Sequence, residues 1–153
     1  MGVAIGARSG RAIGRDARRY PPKAAIGRIV ESKVIERIPE LVNNDPAIVR
    51  WGRSMNESFM VEVGDSQYLL TVREGRVESV AKGPFVMRPW RFAIRAERAS
   101  WEKFWEKVPA PGWHDLFALL RRGDVAFEGD QRVLVAYLMY LKLVLAAPRR
   151  LAR

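Results

Sequence analysis

The chain has 153 residues, 48% of them hydrophobic and 29% charged, which is ordinary usage for one globular domain and excludes disorder throughout. It has no cysteine and a single histidine, His114, so disulfide scaffolds, thiolate zinc sites, cysteine nucleophiles and multi-histidine metal sites are excluded together. The net charge of +10 is unevenly spread: residues 1–28 carry seven bases against one acid, residues 149–153 carry three bases, and residues 29–148 are close to neutral at +1. Domains that read nucleic-acid backbones present a basic stripe on a folded face, and that pattern is missing from the body of the sequence.

Residues 1–25 read as a basic N-terminal extension. Gly2, Gly6, Gly10 and Gly14 recur every fourth residue as in membrane helix packing, but Arg8, Arg11 and Arg15 interrupt the run, and the opening MGVAIGARSG is too short in apolar residues for a signal peptide. Contact with an anionic membrane surface is the function that such basic ends allow, here and at residues 149–153.

After Tyr20-Pro21-Pro22, the residues Ile26, Ile29, Val30, Val34 and Ile38 fall on one helical stripe, predicting an amphipathic helix that ends at Pro39. Asn43-Asn44-Asp45-Pro46 reads as a cap with a first-turn proline, starting a short turn that Gly52 ends. From Ser58 the period becomes two, and turns at Gly64-Asp65 and Glu74-Gly75 predict a three-strand meander. A fourth strand is expected at residues 91–96, antiparallel to its neighbour because the connections are short.

Trp101, Phe104, Trp105 and Val108 share one helical face behind Ser100 as N-cap, with Pro109 and Pro111 as stops. A short helix is predicted from Asp115 to Arg122, closed by Gly123, then a strand over 124–128. Gly129-Asp130 opens a last helix running from Val133 to Ala147 with Lys142 as its only charge, stopped by Pro148. That run is shorter than the ~18–20 residues that cross a bilayer. Its apolar residues, Leu134, Tyr137, Leu138, Met139 and Leu141 among them, surround nearly the whole circumference, so apolar partners are expected on both sides. Two readings stay open: a helix packed between layers, or one whose one side faces the sheet while the other lines a cavity for an apolar ligand, a reading that the large rings of Trp101, Phe104, Trp105, Trp113 and Phe117 support. Composition does not separate a packed core from a ligand-filled one.

His114-Asp115 is the one place where acid–base chemistry is imaginable. Asp115 has a simpler role as N-cap of the next helix, and no nucleophile elbow, phosphate loop or dinucleotide fingerprint occurs. No catalytic residue, metal ligand or cofactor is assigned.

The order of these elements, with Glu74-Gly75 at the hairpin, Gly123-Asp124 before a strand and Phe127-Glu128-Gly129-Asp130 before the apolar helix, resembles the sterol carrier protein type two family. The stretch from Trp101 to Leu119, containing Pro109-Ala110-Pro111-Gly112-Trp113-His114-Asp115, resembles an uncharacterised bacterial branch of it. The likeness covers about residues 26–148. It implies an α+β fold, a five-stranded and mostly antiparallel sheet covered by helices, with a hydrophobic tunnel that takes fatty acyl chains, sterols or phospholipids and performs no chemistry. Carried onto this chain, the tunnel is bounded by Phe92 on the sheet side and by Phe117, Leu120, Tyr137, Leu138 and Leu141 on the helices. The residue pattern adds Phe104, Trp113 and Leu134, with His114 and Asp115 at a polar mouth. The chain ends Leu151-Ala152-Arg153 rather than in a peroxisomal signal, so cytoplasmic residence is the default expectation. The rival reading is an enzyme, or enzyme subunit, acting on an apolar acyl or steroid substrate through His114 and Asp115. Nucleic-acid binding through the basic ends ranks below both.

Overall fold

A computed structural model describes residues 31–87 and 89–152. The extension of residues 1–25, and Ile26, Ile29 and Val30 of the first stripe, lie outside the described residues. Residues 31–36 are helical, and the chain turns at Arg37 before α1 (Ile38–Asn43), where Pro39 sits in the first turn. Pro39 was expected to end the first helix. It opens the next one instead, where its missing amide proton costs nothing.

A second helix, α2 (Pro46–Trp51), stands where a short turn was expected, and it opens on the expected cap, with the Asp45 carboxylate accepting from the amides of Ala47 and Ile48. Strands β1 (Ser58–Val63), β2 (Ser66–Arg73) and β3 (Arg76–Lys82) form the meander. Its second turn needs positive φ at two successive residues, and Glu74 and Gly75 supply +50° and +79°.

The fourth strand, β4 (Phe92–Ala96), corrects the expected pairing. It lies parallel to β1 in a sheet of order β3-β2-β1-β4-β5, where β5 is Val125–Gly129 and all other pairings are antiparallel. Residues 83–91 make this possible. The connection leaves β3 where the Gly83 amide donates to the Gln67 carbonyl and rejoins the sheet where the Arg91 amide donates to the Ser58 carbonyl. A connection of nine residues can reach up to about 30 Å, enough to pass the intervening strands.

The other sheet face, with Phe59, Val61, Val63, Tyr68, Leu70, Val72, Phe92 and Ile94, is buried under the helices. Phe59 and Phe92 stack across the parallel pair with centroids 5.3 Å apart. Helix α3 (Arg98–Phe104) begins three residues earlier than expected, behind Glu97, and ends at Trp105. Ser100 is therefore buried inside the helix rather than capping it, and Val108 is exposed rather than on the aromatic face. Helix α4 (Leu116–Arg122) keeps its predicted Asp115 cap and ends on Gly123 at φ +82°.

The expected single last helix is two: α5 (Gln131–Ala136), capped by Asp130, and α6 (Leu138–Ala146), with a break at Tyr137 (φ −109°, ψ 19°). The break lets the Tyr137 hydroxyl reach the Ser54 carbonyl at 3.0 Å while Leu134 and Leu141 stay buried. Apolar partners do not cover both sides, because Val135 is 60% and Met139 47% exposed. Pro148 does not end the structure either. A 3-10 turn (Ala147–Leu151) follows, in which Arg149 donates to the carbonyls of Phe104 (2.7 Å) and His114 (3.0 Å), and Arg150 pairs with Asp45. The arginines assigned to a basic tail are thus tied back onto α3, the 105–115 loop and the cap of α2.

Candidate functional site

The nine expected lining residues separate into two groups. Phe92, Phe104, Leu134 and Leu141 are buried in the core, next to Trp101, whose ring stacks on Trp105 at 5.2 Å and meets Phe104 edge-on at 5.7 Å. Both indoles are anchored: Trp101 Nε1 donates to the Glu62 carbonyl and Trp105 Nε1 to the Leu145 carbonyl, each at 2.9 Å. These rings are interlocked packing, and a ligand reaching them has to move them.

Trp113, Phe117, Leu120, Tyr137 and Leu138 are half-buried. On α4, Leu116 and Leu119 point into the core, whereas Phe117 and Leu120 occupy the flank of the same helix. That helix is apolar over a wider arc than its packing consumes. Its N-terminus is fixed to α6, because Lys142 Nζ lies 2.9 Å from the Asp115 carboxylate and 5.1 Å from the centre of the Phe117 ring. Trp113 lies 4.5 Å from Lys103 and 4.3 Å from Arg122, so two cations hold the loop between α3 and α4 in place. Phe127 of β5 and Val133 of α5 are half-buried against the same core, and sequence reading did not name them as lining residues; the alternation in β5 was the available signal for Phe127.

His114 and Asp115 are not assembled as a catalytic dyad. His114 is exposed, and its carbonyl is taken by Arg149. Burial would raise the Asp115 carboxyl, but the hydrogen bond from Lys142 and the Phe117 amide outweigh it and hold the group below the ordinary carboxylate range. The first is an ion pair to α6 and the second a helix cap, and both are structural roles.

A buried polar cluster joins the helical residues before α1 to β2 and the start of α3. Glu31, 4% exposed, accepts from the Tyr68 hydroxyl (2.7 Å) and from Arg98 (3.1 Å), and Ser32 touches the same hydroxyl at 3.0 Å. Burial, together with the Glu31 carboxylate, pushes the Tyr68 phenol up to about 12. Across the second sheet face Arg95 pairs with both Glu62 and Glu128. Among the described residues no helix is long and apolar enough to cross a membrane, and no group of three or more His, Asp or Glu is placed to hold a metal ion.

No model of a known protein family matches the chain, and no curated protein matches it. Solved structures do. Sterol carrier protein 2 aligns with a TM-score of 0.64 at 16% identity, covering 76% of this chain and 94% of that one. A conserved protein of Thermus thermophilus, described as a possible sterol carrier protein, aligns at 0.63 and 16% identity, covering 78% and 87%. The chain therefore has the sterol carrier protein fold, including its α+β architecture and five-stranded sheet.

Proposed function

We propose that this protein binds, and passes on, an apolar ligand such as a fatty acyl chain, a sterol or a phospholipid, without chemical change. The observation that carries the reading is the set of half-buried large apolar side chains on α4, the loop before it, the α5–α6 break and α6, namely Trp113, Phe117, Leu120, Tyr137 and Leu138, on a fold shared with sterol carrier protein 2. The ligand lies along the seam between α4 and the α5–α6 pair. Its far end presses toward Phe92, Phe104, Leu134 and Leu141, and α6 shifts to admit it. His114 and Asp115 stand at the polar mouth, where Lys142 offers a charge to a head group. Transfer of each buried methylene contributes about 0.8 kcal/mol, so a chain of about sixteen carbons has ample driving force against the cost of immobilising it.

The test is native mass spectrometry and solvent extraction of the purified protein, followed by titration with a fluorescent long-chain fatty acid. Co-purifying lipid, or saturable binding of about one probe per chain, is expected. A protein that arrives empty and shows no saturable signal overturns the proposal.

A further inference from the structure

Helix α2 ends in an exposed group that the core does not use. Trp51 is 57% exposed, with Arg50 and Arg53 exposed on either side, and these residues with Ser54 line a shallow cavity of about 360 Å³. The end of α2 is seated on the last helices. Gly52 lies so close to the Tyr140 ring that an added Cβ would stand 2.5 Å from it, and Tyr137 Oη donates to the Ser54 carbonyl. Trp51 and Met139 are therefore the chain neighbours of a contacting pair. Met139 continues an exposed stripe of α5 and α6 with Val135, Ala136 and Arg132.

The β2–β3 turn adjoins the same place, since Gly75 abuts the Val49 carbonyl and Gly52. Around it stand Arg50, Arg53, Arg73 and Arg76 together with Glu57, Glu74 and Glu78, of which Glu78 is bridged to Arg73 at 3.7 Å and Glu57 shares a pocket with Arg73. One positive charge is left over, and Arg132 adds another on the neighbouring stripe. A second copy of the chain docking here about a two-fold axis would set these guanidiniums against themselves. A surface that is both greasy and negative has no such conflict: an indole settles at the level of lipid head groups while arginines reach anionic phosphates.

We propose that the face formed by Trp51, Val135 and Met139 with Arg50, Arg53 and Arg132 is where this protein docks onto an anionic phospholipid bilayer. It adjoins the ligand seam at the hydrogen bond from Tyr137 to the Ser54 carbonyl, and none of residues 1–28 is part of it.

The full-length chain is sedimented with phosphatidylcholine vesicles with and without about 30% phosphatidylglycerol, at low and high salt. Wild type is expected to bind the anionic vesicles, and to release as salt rises. Removing both charges as Arg50→Ala/Arg53→Ala lowers binding roughly 25-fold, about fivefold for each. Trp51→Ser lowers it about tenfold or more. Since these side chains are exposed, both variants keep the wild-type melting temperature, and they keep the affinity for a fluorescent fatty acid, so a failure of docking is distinguishable from a failure of ligand binding. Vesicles of phosphatidylcholine brominated on the acyl chain, mixed with phosphatidylglycerol, quench the wild type, and Trp51→Phe loses that quenching. Undiminished binding by Trp51→Ser, equal quenching of Trp51→Phe, equal binding to neutral vesicles, or a dimer that Trp51→Ser dissolves without any vesicle binding would each overturn the proposal.

Discussion

The hydroxyl of Tyr140 donates to the carbonyl of Gly75 at 2.8 Å, joining the last helix to a β-turn 65 residues earlier in the chain. The ring beneath that hydroxyl is buried and lies against Gly52, and burial raises the phenol well above its ordinary range, so it is a donor at every working pH. Tyr140→Phe leaves the Gly75 carbonyl without this partner and should cost about 1–2 kcal/mol. Gly52→Ala drives a methyl into the ring and should cost about 1–3 kcal/mol. Urea unfolding of both variants measures this, and an unchanged midpoint for Gly52→Ala would mean that α2 is free to lift away from α6.

Breaking the cluster around Glu31 should be more damaging. Glu31→Ala removes one acceptor from both Tyr68 and Arg98 in a buried setting, with an expected loss of roughly 2–3 kcal/mol. Tyr68→Phe, which leaves the Glu31–Arg98 pair standing, should cost less. The ranking of the two in thermal denaturation is the check.

Asp115 gives a pH dependence with a definite sign. Its carboxyl titrates below its unfolded value in the folded chain, so the stabilisation is complete at neutral pH and drains away as pH falls through the carboxylate range, below about 4. Asp115→Asn keeps a capping oxygen but loses the attraction to Lys142. It should be less stable than wild type by at most about 1 kcal/mol at neutral pH, with the difference closing in acid. Melting curves from neutral to acidic buffer decide it, and a gap that widens in acid contradicts the assignment.

Ligand binding should respond to charge placed in the seam. Leu120→Asp sets a carboxylate where an alkyl chain is to lie and should weaken fatty-acid binding at least tenfold, about 1.4 kcal/mol. Val135→Asp, on the exposed stripe, should leave that affinity unchanged. Equal titration curves for Leu120→Asp and wild type would move the ligand elsewhere.

Much of this architecture is written locally. Asp45, Asp115 and Asp130 cap helices because their side chains reach the first free amides, and Gly123 ends α4 because a left-handed residue is needed there. The strands of the meander declare themselves by alternation. What stayed illegible is tertiary. The β1–β4 pairing depends on where residues 83–91 travel, and no window of sequence holds both strands. The break at Tyr137 follows from a hydroxyl finding Ser54, 83 residues away. Likewise, an apolar run around a helix reports that burial is favourable without saying what supplies it. Leu134 and Leu141 are covered by core, Leu138 only half, and Val135 and Met139 face outward, although all five read alike as apolar residues.

The strap of residues 83–91 also fixes how the molecule is divided. Strands β1, β2 and β3 precede it and β4 and β5 follow it, so the stacked rings of Phe59 and Phe92 belong to opposite halves of the chain. Neither half can close the sheet by itself, because the seam between them is a parallel pairing that no hairpin can template. Val86 and Met87 stand exposed in the strap. A nick there would turn one folding chain into two fragments, each holding one ring of the stack and each dependent on meeting the other.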